Sequence, residues 1–242
     1  MNVCMAHRGW SGQAPENTLA AVRLALTHPD ITAMEIDVQL SKDEVPVVMH
    51  DFTLGRTVHA SGTVRDYTLE ELKRFDAGSW FDHSFTNETI PSLEEVLKEV
   101  QGKLHLNIEL KTAGDMYPGL EEKVVELVRA HGMEDEVWIT SFDHDAIKRV
   151  HKLAPELKKG LIFGGKSTLL REQLAETGAT ILSIPYPYLT RDFVSEMHAE
   201  GYTVVAWTVD EPAHIQQVME LHPALQICTN HPDRMLEIKK KI

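Results

Sequence analysis

Short apolar runs rich in β-branched residues alternate along the chain with longer segments of helical period. The strand candidates cover residues 3–7, 33–38, 45–50, 104–110, 137–142, 160–163, 181–185, 204–209 and 226–229. The helix candidates cover residues 16–27, 92–100, 120–131, 143–153, 168–177, 191–200 and 213–221. Two pairs with capping-box spacing, Ser92 with Glu95 and Thr68 with Glu71, mark helix starts. Strands that alternate with helices through the whole chain predict an α/β fold built on a parallel sheet.

The number of strand candidates favours a closed (β/α)8 barrel of the TIM type over an open doubly wound sheet. Nine candidates are one more than eight, and the connection between residues 38 and 45 is too short for a crossover helix. We therefore expect an irregular region near the second and third strands. Residues 51–91 have no simple βα period and predict a small insertion over the barrel mouth. Because no linker divides the chain, residues 1–242 are expected to form a single domain.

Composition excludes several classes of partner. The chain has 24 basic and 37 acidic residues, a formal charge of −13, which opposes binding to nucleic acid or to anionic membranes. The longest apolar stretch, residues 204–209, is far shorter than the ~20 residues of a membrane helix, so we expect no stable membrane association. The beginning of the chain lacks the pattern of a signal peptide, which predicts a cytoplasmic protein with Cys4 and Cys228 reduced and buried. The oligomeric state is left open.

Ionisable residues gather where the hydrophobic runs of the first four strand candidates end. They are His7 and Arg8, Glu35 and Asp37, His50 and Asp51, and Glu109 and Lys111. In an α/β barrel the carboxyl ends of the strands converge on the active site. The sequence therefore predicts that these side chains meet at one mouth.

Three of these side chains are carboxylates with the spacing of metal ligands. Glu35 and Asp37 are two residues apart, so on a strand they point to the same face about 6 to 7 Å apart. Glu109 and Lys111 repeat this spacing. Three carboxylates in one cavity repel each other unless they are protonated or share a cation, and oxygen ligands select hard ions. We expect one divalent cation, Mg²⁺ or Ca²⁺, with Mn²⁺ as the alternative.

Two of the 13 histidines, His7 and His50, differ from the rest because each closes an apolar strand run. A pair of imidazoles can remove one proton and deliver another near neutral pH, which is what cleavage of a phosphodiester requires. Arg8 and Lys111 add positive charge for the non-bridging phosphate oxygens. The residue types together predict a metal-dependent phosphodiester hydrolase.

Several ordered motifs resemble the glycerophosphodiester phosphodiesterase family. They are HRG at 7–9, PENT at 15–18, EIDVQL at 35–40 with PVVMHD at 46–51, DAGSWF at 76–81, IPSLEE at 90–95, NIELK at 107–111, TSFD at 140–143, AWTV at 206–209 and TNHPD at 229–233. The resemblance covers nearly the whole chain, and the ordered set is far more specific than any one motif.

The resemblance implies a (β/α)8 barrel that uses a divalent metal to hydrolyse glycerophosphodiesters to sn-glycerol 3-phosphate and an alcohol. It also assigns roles by motif: acid/base catalysis to His7 and His50, metal ligation to Glu35, Asp37 and Glu109, phosphate contact to Arg8 and Lys111, a pocket aromatic to Trp207, and support of the mouth to Glu16 and Asn17. The substrate implied is a small glycerophosphodiester. Residues 51–91 resemble the small insertion of this family.

The chain departs from the family pattern at three places, none of them in the ligand set. Asp210 stands where the family usually has Asn, and Asn87 stands where Gly is common. Residues 221–225 replace a turn that usually contains glycine. These departures concern the shape of loops and the preference for a headgroup.

Three other functions compete with this interpretation. The first is a diesterase of lysophospholipids or phosphoinositides on the same barrel. The second is a catalytically silent barrel that binds an anion, although such proteins usually lose a ligand or a histidine. The third is a sugar isomerase or an amidohydrolase, but an amidohydrolase would be expected to use histidine-rich metal ligation. The headgroup, the identity of the ion, the acid and the base, and attack by water or through a cyclic phosphate stay open.

Overall fold

A computed structural model describes residues 2–241 of the chain; residues 1 and 242, the ends of the predicted single domain, lie outside the described residues. The part described contains nine strands, as the hydrophobic pattern predicts. They are β1 (Cys4–His7), β2 (Ile31–Leu40), β3 (Pro46–Val48), β4 (His105–Leu110), β5 (Val137–Ser141), β6 (Lys158–Ile162), β7 (Ile181–Pro185), β8 (Thr203–Trp207) and β9 (Gln226–Thr229).

Eight of the strands close into a parallel barrel, which confirms the TIM-type fold. The order runs β1, β9, β8, β7, β6, β5, β4, β2, and β1 pairs with β2 to complete the cylinder. The ninth strand, β3, pairs antiparallel with the end of β2. The connection of residues 41–45 is a tight turn closed by the backbone of Ser41 and Val45, so the chain can only double back. This resolves the irregularity expected near the second and third strands.

Nine α-helices lie within the described residues. They are α1 (Leu19–Leu26), α2 (Leu69–Leu72), α3 (Leu93–Val100), α4 (Leu120–Ala130), α5 (His144–Leu153), α6 (Leu170–Thr177), α7 (Arg191–Ala199), α8 (Pro212–Met219) and α9 (Pro232–Lys239). Both predicted capping boxes are present, at Ser92 and Thr68. The first helix begins three residues later than predicted because Asn17 has a left-handed φ of 58° and Thr18 is the N-cap. Glu16 and Asn17 are therefore loop residues, and their side chains can turn into the site.

Alternate strand residues face the helices or the inside of the barrel, as the pleat requires. The cluster inside the barrel consists of Met5, Ala33, Trp138, Ile181, Val205 and Cys228. A larger cluster fills the space between the barrel and the helices. Both cysteines are free and buried, one in each cluster, as expected from the sequence.

Residues 51–91 contain α2, short 3-10 turns and part of a separate apolar cluster. The cluster includes Val47, Met49, Leu54, Val58, Val64, Leu72, Ala77 and Ile90. Asn87, at a place where glycine is common in similar chains, has a φ of 75°, a conformation that Asn tolerates better than most residues. The single-domain organisation of the chain stays a prediction. None of the helices described between residues 2 and 241 is long and apolar enough to cross a membrane.

Candidate active site

The mouth of the barrel begins at the sharp turn that follows β1. Arg8 and Gly9 both have a left-handed φ, 55° and 77°. A Cβ on Gly9 would lie 2.7 Å from the carbonyl carbon of Ala21, so only glycine fits there. The turn directs the backbone N–H of Arg8 to Oε2 of Glu35, at 3.1 Å. The turn therefore places His7 and Arg8 beside the carboxylates of the next strand.

Strand register brings the predicted carboxylates together. His7 lies opposite Glu35 across β1 and β2, and Asp37 lies opposite Glu109 across β2 and β4. Oxygens of Glu35, Asp37 and Glu109 lie within 4.8 Å of one another, and all three residues are buried. Lys111 follows β4 and reaches back to Glu109, with Nζ 2.8 Å from Oε1. The predicted ligand set is thus assembled at one point of the mouth.

Two oxygens of the carboxylate cluster accept no hydrogen bond. They are Oε1 of Glu35 and Oδ1 of Asp37, both buried and without a hydrogen-bond donor among the described residues. Burial, and then the charges of the neighbouring carboxylates, raise the pKa of Glu35 well above its usual value and that of Glu109 to about 7. Two buried oxygens without a hydrogen bond beside a third carboxylate fit a bound hard cation. The acidic cluster can therefore hold a metal ion.

Two cations balance part of this negative charge. Nε of Arg8 lies 3.2 Å from Oδ2 of Asp37, and Nζ of Lys111 lies 3.7 Å from Oδ1 of Asp37. Burial alone raises the pKa of Asp37, but the charges of Arg8 and Lys111 outweigh burial and lower this pKa overall. Asn17 donates from Nδ2 to Oδ2 of Asp37 at 2.8 Å and accepts from its backbone N–H. Asp37 is therefore an ionised, firmly held carboxylate at the back of the site.

His7 is enclosed, with a side chain that is 15% exposed. Its Nδ1 lies 2.7 Å from Oδ1 of Asn230, and its Nε2 faces Oε2 of Glu35 at 3.7 Å. Burial, and then the charge of Arg8, lower the pKa of His7 to about 4. His7 is therefore neutral at pH 7.

His50 follows β3 and is more open, with a side chain that is 32% exposed. Its Nδ1 lies 2.6 Å from Oδ1 of Asp51. Arg56 donates to both oxygens of Asp51 and to both oxygens of Glu16. The hydrogen bonds from Arg56, with burial opposing them, lower the pKa of Asp51 to about 2. His50 is therefore held by a fully ionised carboxylate that is itself fixed by an arginine.

The residues surround a cavity of about 150 Å³. Its lining includes every predicted site residue except the buried Asp37: His7, Arg8, Glu35, His50, Glu109, Lys111 and Trp207. Trp207 ends β8, and Phe142, which is 46% exposed, stands at right angles to it with ring centroids 5.7 Å apart. The ring of Phe142 also lies 5.7 Å from Nζ of Lys111. The cavity thus has a charged wall and an aromatic wall.

Sequence reasoning did not assign a role to several residues that hold the site. Asn230 and Asp210 support His7, Asp51 and Arg56 support His50, and Phe142 extends the aromatic wall. Asp51 follows a histidine at a strand end and Phe142 follows β5, so their positions in the sequence could have indicated a place at the barrel mouth. Asn230 directly follows β9, which pairs with β1, so the sequence could also have indicated its place beside His7. The roles of Arg56 and Asp210 depend on loop conformations that have no periodic pattern.

The sequence matches a known protein family along nearly its whole length. A sequence model described as the glycerophosphoryl diester phosphodiesterase family matches residues 7–234. The chain is similar to a glycerophosphodiester phosphodiesterase of Bacillus altitudinis, with 37% identity over the whole of both chains. It is also similar to a glycerophosphodiester phosphodiesterase of Caldanaerobacter subterraneus, with 35% identity over 98% of this chain and 97% of that protein.

The fold is also similar to that of a solved phosphodiesterase from Oleispira antarctica. The two structures superpose with a TM-score of 0.93 at 31% sequence identity, over 99% of this chain and 97% of the other. That phosphodiesterase was solved in complex with its product, sn-glycerol-3-phosphate.

Proposed function

This chain belongs to the glycerophosphoryl diester phosphodiesterase family, and we propose that its mouth hydrolyses glycerophosphodiesters to sn-glycerol 3-phosphate and an alcohol. The observation that carries the proposal is the convergence of three buried carboxylates, two histidines and two cationic side chains on one cavity. A cavity of about 150 Å³ suits a small substrate. A structure of a similar enzyme with sn-glycerol-3-phosphate bound supports the same product class.

Glu35, Asp37 and Glu109 are the proposed ligands of one divalent cation. All the donors are carboxylate oxygens, and two of them accept no hydrogen bond from a described residue, which favours a hard ion: Mg²⁺ or Ca²⁺, with Mn²⁺ as the alternative. When bound, such an ion supplies Lewis-acid stabilisation of the charge on the phosphate. Asn17 keeps Asp37 in place through two hydrogen bonds.

Arg8 and Lys111 are the proposed contacts of the non-bridging phosphate oxygens. Arg8 is braced by Glu16, with Nη1 2.8 Å from Oε1. Lys111 is held by Glu109 and lines the cavity beside Phe142. Cations fixed in advance by buried carboxylates stabilise an anion without reorganisation during the reaction.

His7 and His50 are the proposed acid and base. Each holds Nδ1 on a neighbouring side chain, which leaves Nε2 for the substrate. One imidazole takes the proton of the nucleophile, whose oxygen bonds to phosphorus. The P–O bond to the leaving group breaks, and the other imidazole gives its proton to the departing alkoxide. The nucleophile is water, which gives sn-glycerol 3-phosphate directly, or the glycerol 2-hydroxyl, which gives a cyclic phosphate that water then opens to the same product. A substrate that lacks this hydroxyl distinguishes them, because only the water route cleaves it.

The aromatic wall is proposed to position the glycerol group. Trp207 ends β8 at the cavity and presents an apolar face suited to the carbons of glycerol. Phe142 lies against it and is open to the surroundings, so it can contact the alcohol beyond the phosphate. Replacement of Trp207 by Ala is therefore expected to raise KM more than it lowers kcat.

The decisive assay follows release of sn-glycerol 3-phosphate from glycerophosphocholine and glycerophosphoethanolamine. Protein treated with EDTA is expected to be inactive, and added Mg²⁺, Ca²⁺ or Mn²⁺ restores turnover. His7→Ala and His50→Ala each lower the rate by about 10² to 10⁴. His198→Ala, a change of the same kind on the exposed side of α7, serves as the control and keeps the rate.

Other outcomes of this assay contradict the proposal. Normal turnover in both histidine variants would remove their catalytic role. Turnover of lysophosphatidylcholine micelles but not of the small diesters would assign the barrel to lysophospholipids. No turnover with any ion, from folded protein that still binds the diesters, would indicate a silent binding barrel. The cytoplasmic location stays a prediction.

A further inference from the structure

Two residues, Asn230 and Asp210, form a continuous hydrogen-bonded relay behind His7. Nδ1 of His7 lies 2.7 Å from Oδ1 of Asn230. Nδ2 of Asn230 donates to Oδ2 of Asp210 at 2.7 Å, and the backbone N–H of Asn230 donates to Oδ1 of Asp210 at 2.8 Å. Asp210 is absent from the lining of the cavity, so its hydrogen-bonded connection to the site runs through Asn230.

The carboxylate of Asp210 determines which way the Asn230 amide faces. A carboxylate only accepts hydrogen bonds, whereas an amide has one accepting and one donating end. If the amide turned over, its oxygen would face Oδ2 of Asp210 with no hydrogen between them. Ser11 also touches Oδ1 of Asn230, at 2.7 Å, but a hydroxyl can donate or accept and so is satisfied by either orientation.

The amide orientation in turn determines the tautomer of His7. Oδ1 of Asn230 can only accept, so Nδ1 of His7 carries the proton and Nε2 presents its lone pair towards Glu35. A base needs this free Nε2. If His7 acts instead as the acid, loss of the proton from Nε2 leaves the same tautomer, with the proton on Nδ1. The acceptor at Nδ1 is therefore required whichever of the two roles His7 has.

We propose that Asp210 is a positioning residue of this enzyme, which sets the tautomer of the catalytic His7 through Asn230. The inference rests on the proposed function, since it assigns to His7 a proton transfer through Nε2.

The relay is rigid at its far end as well. Thr229 donates from Oγ to Oδ1 of Asp210 at 3.0 Å, and Arg234 donates from Nη1 to the backbone oxygen of Asp210 at 2.8 Å. The backbone oxygen of Asn230 accepts from Gly12 at 2.8 Å. These contacts hold both residues in place. Replacement of one oxygen of Asp210 by a nitrogen is therefore expected to change the hydrogen bonds of Asn230 and His7, and not simply to move the loop.

Asp210→Asn is the test because it changes one oxygen to an NH₂ and keeps the shape. The new amide keeps its oxygen on the backbone N–H of Asn230 and the hydroxyl of Thr229, so its NH₂ faces the side chain of Asn230. Asn230 then turns over and donates to Nδ1 of His7, and the imidazole proton moves to Nε2. We expect kcat to fall about 10²-fold with KM changed less than about threefold.

The tautomer is measured directly by long-range ¹H–¹⁵N correlation at pH 8, in Mg²⁺-loaded enzyme. His7→Gln identifies the His7 signals among the 13 histidines. In the unaltered enzyme Nδ1 is expected to be the protonated nitrogen, and in Asp210→Asn it is expected to be Nε2. A role confined to folding would lower the melting temperature but would leave this assignment unchanged.

The double variant Asp210→Asn with Asn230→Asp provides the rescue. The NH₂ introduced at position 210 then donates to the new carboxylate at position 230, whose other oxygen again accepts from Nδ1 of His7. We expect the original tautomer to return, with at least about tenfold of the lost kcat. Asp233→Asn is the matched control, because Asp233 accepts from Nε1 of Trp10 at 3.2 Å and takes no part in the relay.

Each result decides the proposal. The switch of tautomer in Asp210→Asn, its reversal in the double variant and no switch in Asp233→Asn support it. Protonated Nδ1 in Asp210→Asn, or a loss of kcat without a switch, overturns it. If the unaltered enzyme hydrolyses no diester, the proposed function is wrong and the catalytic role of Asp210 fails with it, while the NMR spectra show separately whether the carboxylate sets the tautomer.

Discussion

His7 and His50 face the same cavity from two different parts of the molecule. His7 belongs to the barrel side, formed by the ends of β1, β2 and β4, and its Nδ1 is held by the uncharged amide of Asn230. His50 belongs to the insertion side, formed by β3 and residues 51–91, and its Nδ1 is held by the charged Asp51. The imidazole on the barrel side is half as exposed, 15% against 32%.

The two sides hold their catalytic groups in place by different interactions. On the barrel side, strand register and buried hydrogen bonds fix His7 and the three carboxylates. The carboxylates are buried, and the neighbouring cations balance only part of their charge. On the insertion side an exposed arginine, Arg56, holds the partner of His50 by ion pairs that water and salt can weaken. We therefore expect changes on the barrel side to have the larger effects.

The largest expected effect comes from Glu35→Gln on the barrel side. Loss of one of three carboxylate ligands is expected to lower kcat/KM by about 10³-fold at saturating Mg²⁺. The same change is expected to raise the melting temperature in EDTA near neutral pH, because burial and the neighbouring carboxylates make ionised Glu35 unfavourable in the folded protein, and Gln has no such cost. Steady-state kinetics and thermal melts in Mg²⁺ and in EDTA measure the two effects.

Glu121→Gln is the matched control for Glu35→Gln. Glu121 is also buried, but it pairs with Arg149 in the helical layer, with Nη2 2.8 Å from Oε1. We expect this variant to keep kcat/KM and to melt at a lower temperature, since it weakens a buried pair. An equal fall in activity for both variants would show that the effect of Glu35 comes from loss of structure.

The second prediction concerns pH and the stability that the cation gives. Burial, followed by the charge of Asp37, raises the pKa of Glu109 from 4.5 to about 7. Without an ion, the folded protein therefore holds a proton between these pH values that the unfolded chain has lost, and this group's stabilisation declines as the pH rises through that window. The shift corresponds to at most about 3 kcal/mol.

The lowered pKa of His7 acts in the opposite direction below pH 6.5, so the comparison is made between Mg²⁺ and EDTA at each pH. Binding of the cation requires the ionised carboxylate, so the stabilisation by Mg²⁺ is expected to grow from about pH 5 to about pH 7.5. Denaturant unfolding measures it. A gain from Mg²⁺ that is the same at both pH values, or that survives in Glu109→Gln, would rule out this explanation.

These two sides also differ in how far the sequence predicts them. The barrel side follows from spacing: acids two residues apart at strand ends share a face, and parallel strands bring those ends together. The sequence alone therefore places Glu35, Asp37 and Glu109 at one mouth. It does not identify the supernumerary strand, because Pro46–Val48 is an apolar run whichever way it pairs.

The hydrogen bonds that support the two histidines could not be predicted from the sequence, for a different reason. Asn17 enters the site from a left-handed backbone position. Asn230 lies beside His7 because β9 pairs with β1, but the direction of its amide depends on Asp210 in the loop after β8. Loop conformation is set by a few specific hydrogen bonds and leaves no period in the sequence. Arg56 comes from the insertion, where no regular element predicts its direction.

The third prediction tests the insertion side at Asp51. Asp51→Asn keeps the shape but loses the charge, and Arg56 still requires acceptors on this side chain. Either placement of the new NH₂ removes an acceptor from Arg56, and His50 loses the charge of its partner at Nδ1. We expect kcat to fall by about 10- to 100-fold with a smaller change in KM. The control is Asp66→Asn, at an exposed cap of the insertion, which is expected to keep kcat.

The smallest effect is expected for Arg56→Ala, which leaves both histidines and their direct partners in place. Its ion pairs with Glu16 and Asp51 are partly exposed, and such pairs contribute little. We expect kcat/KM to fall about threefold at low ionic strength. At about 0.5 M salt the difference in kcat/KM between the variant and the unaltered enzyme is expected to be smaller, because salt already weakens these ion pairs in the unaltered enzyme. Arg74→Ala, which removes an exposed arginine paired with Glu70, is the control and keeps kcat/KM at both salt concentrations. A loss of kcat/KM as large as that of Asp51→Asn would show that the arginine, and not the carboxylate, holds His50. The contrast between a rigid barrel side and an adjustable insertion side would then be wrong.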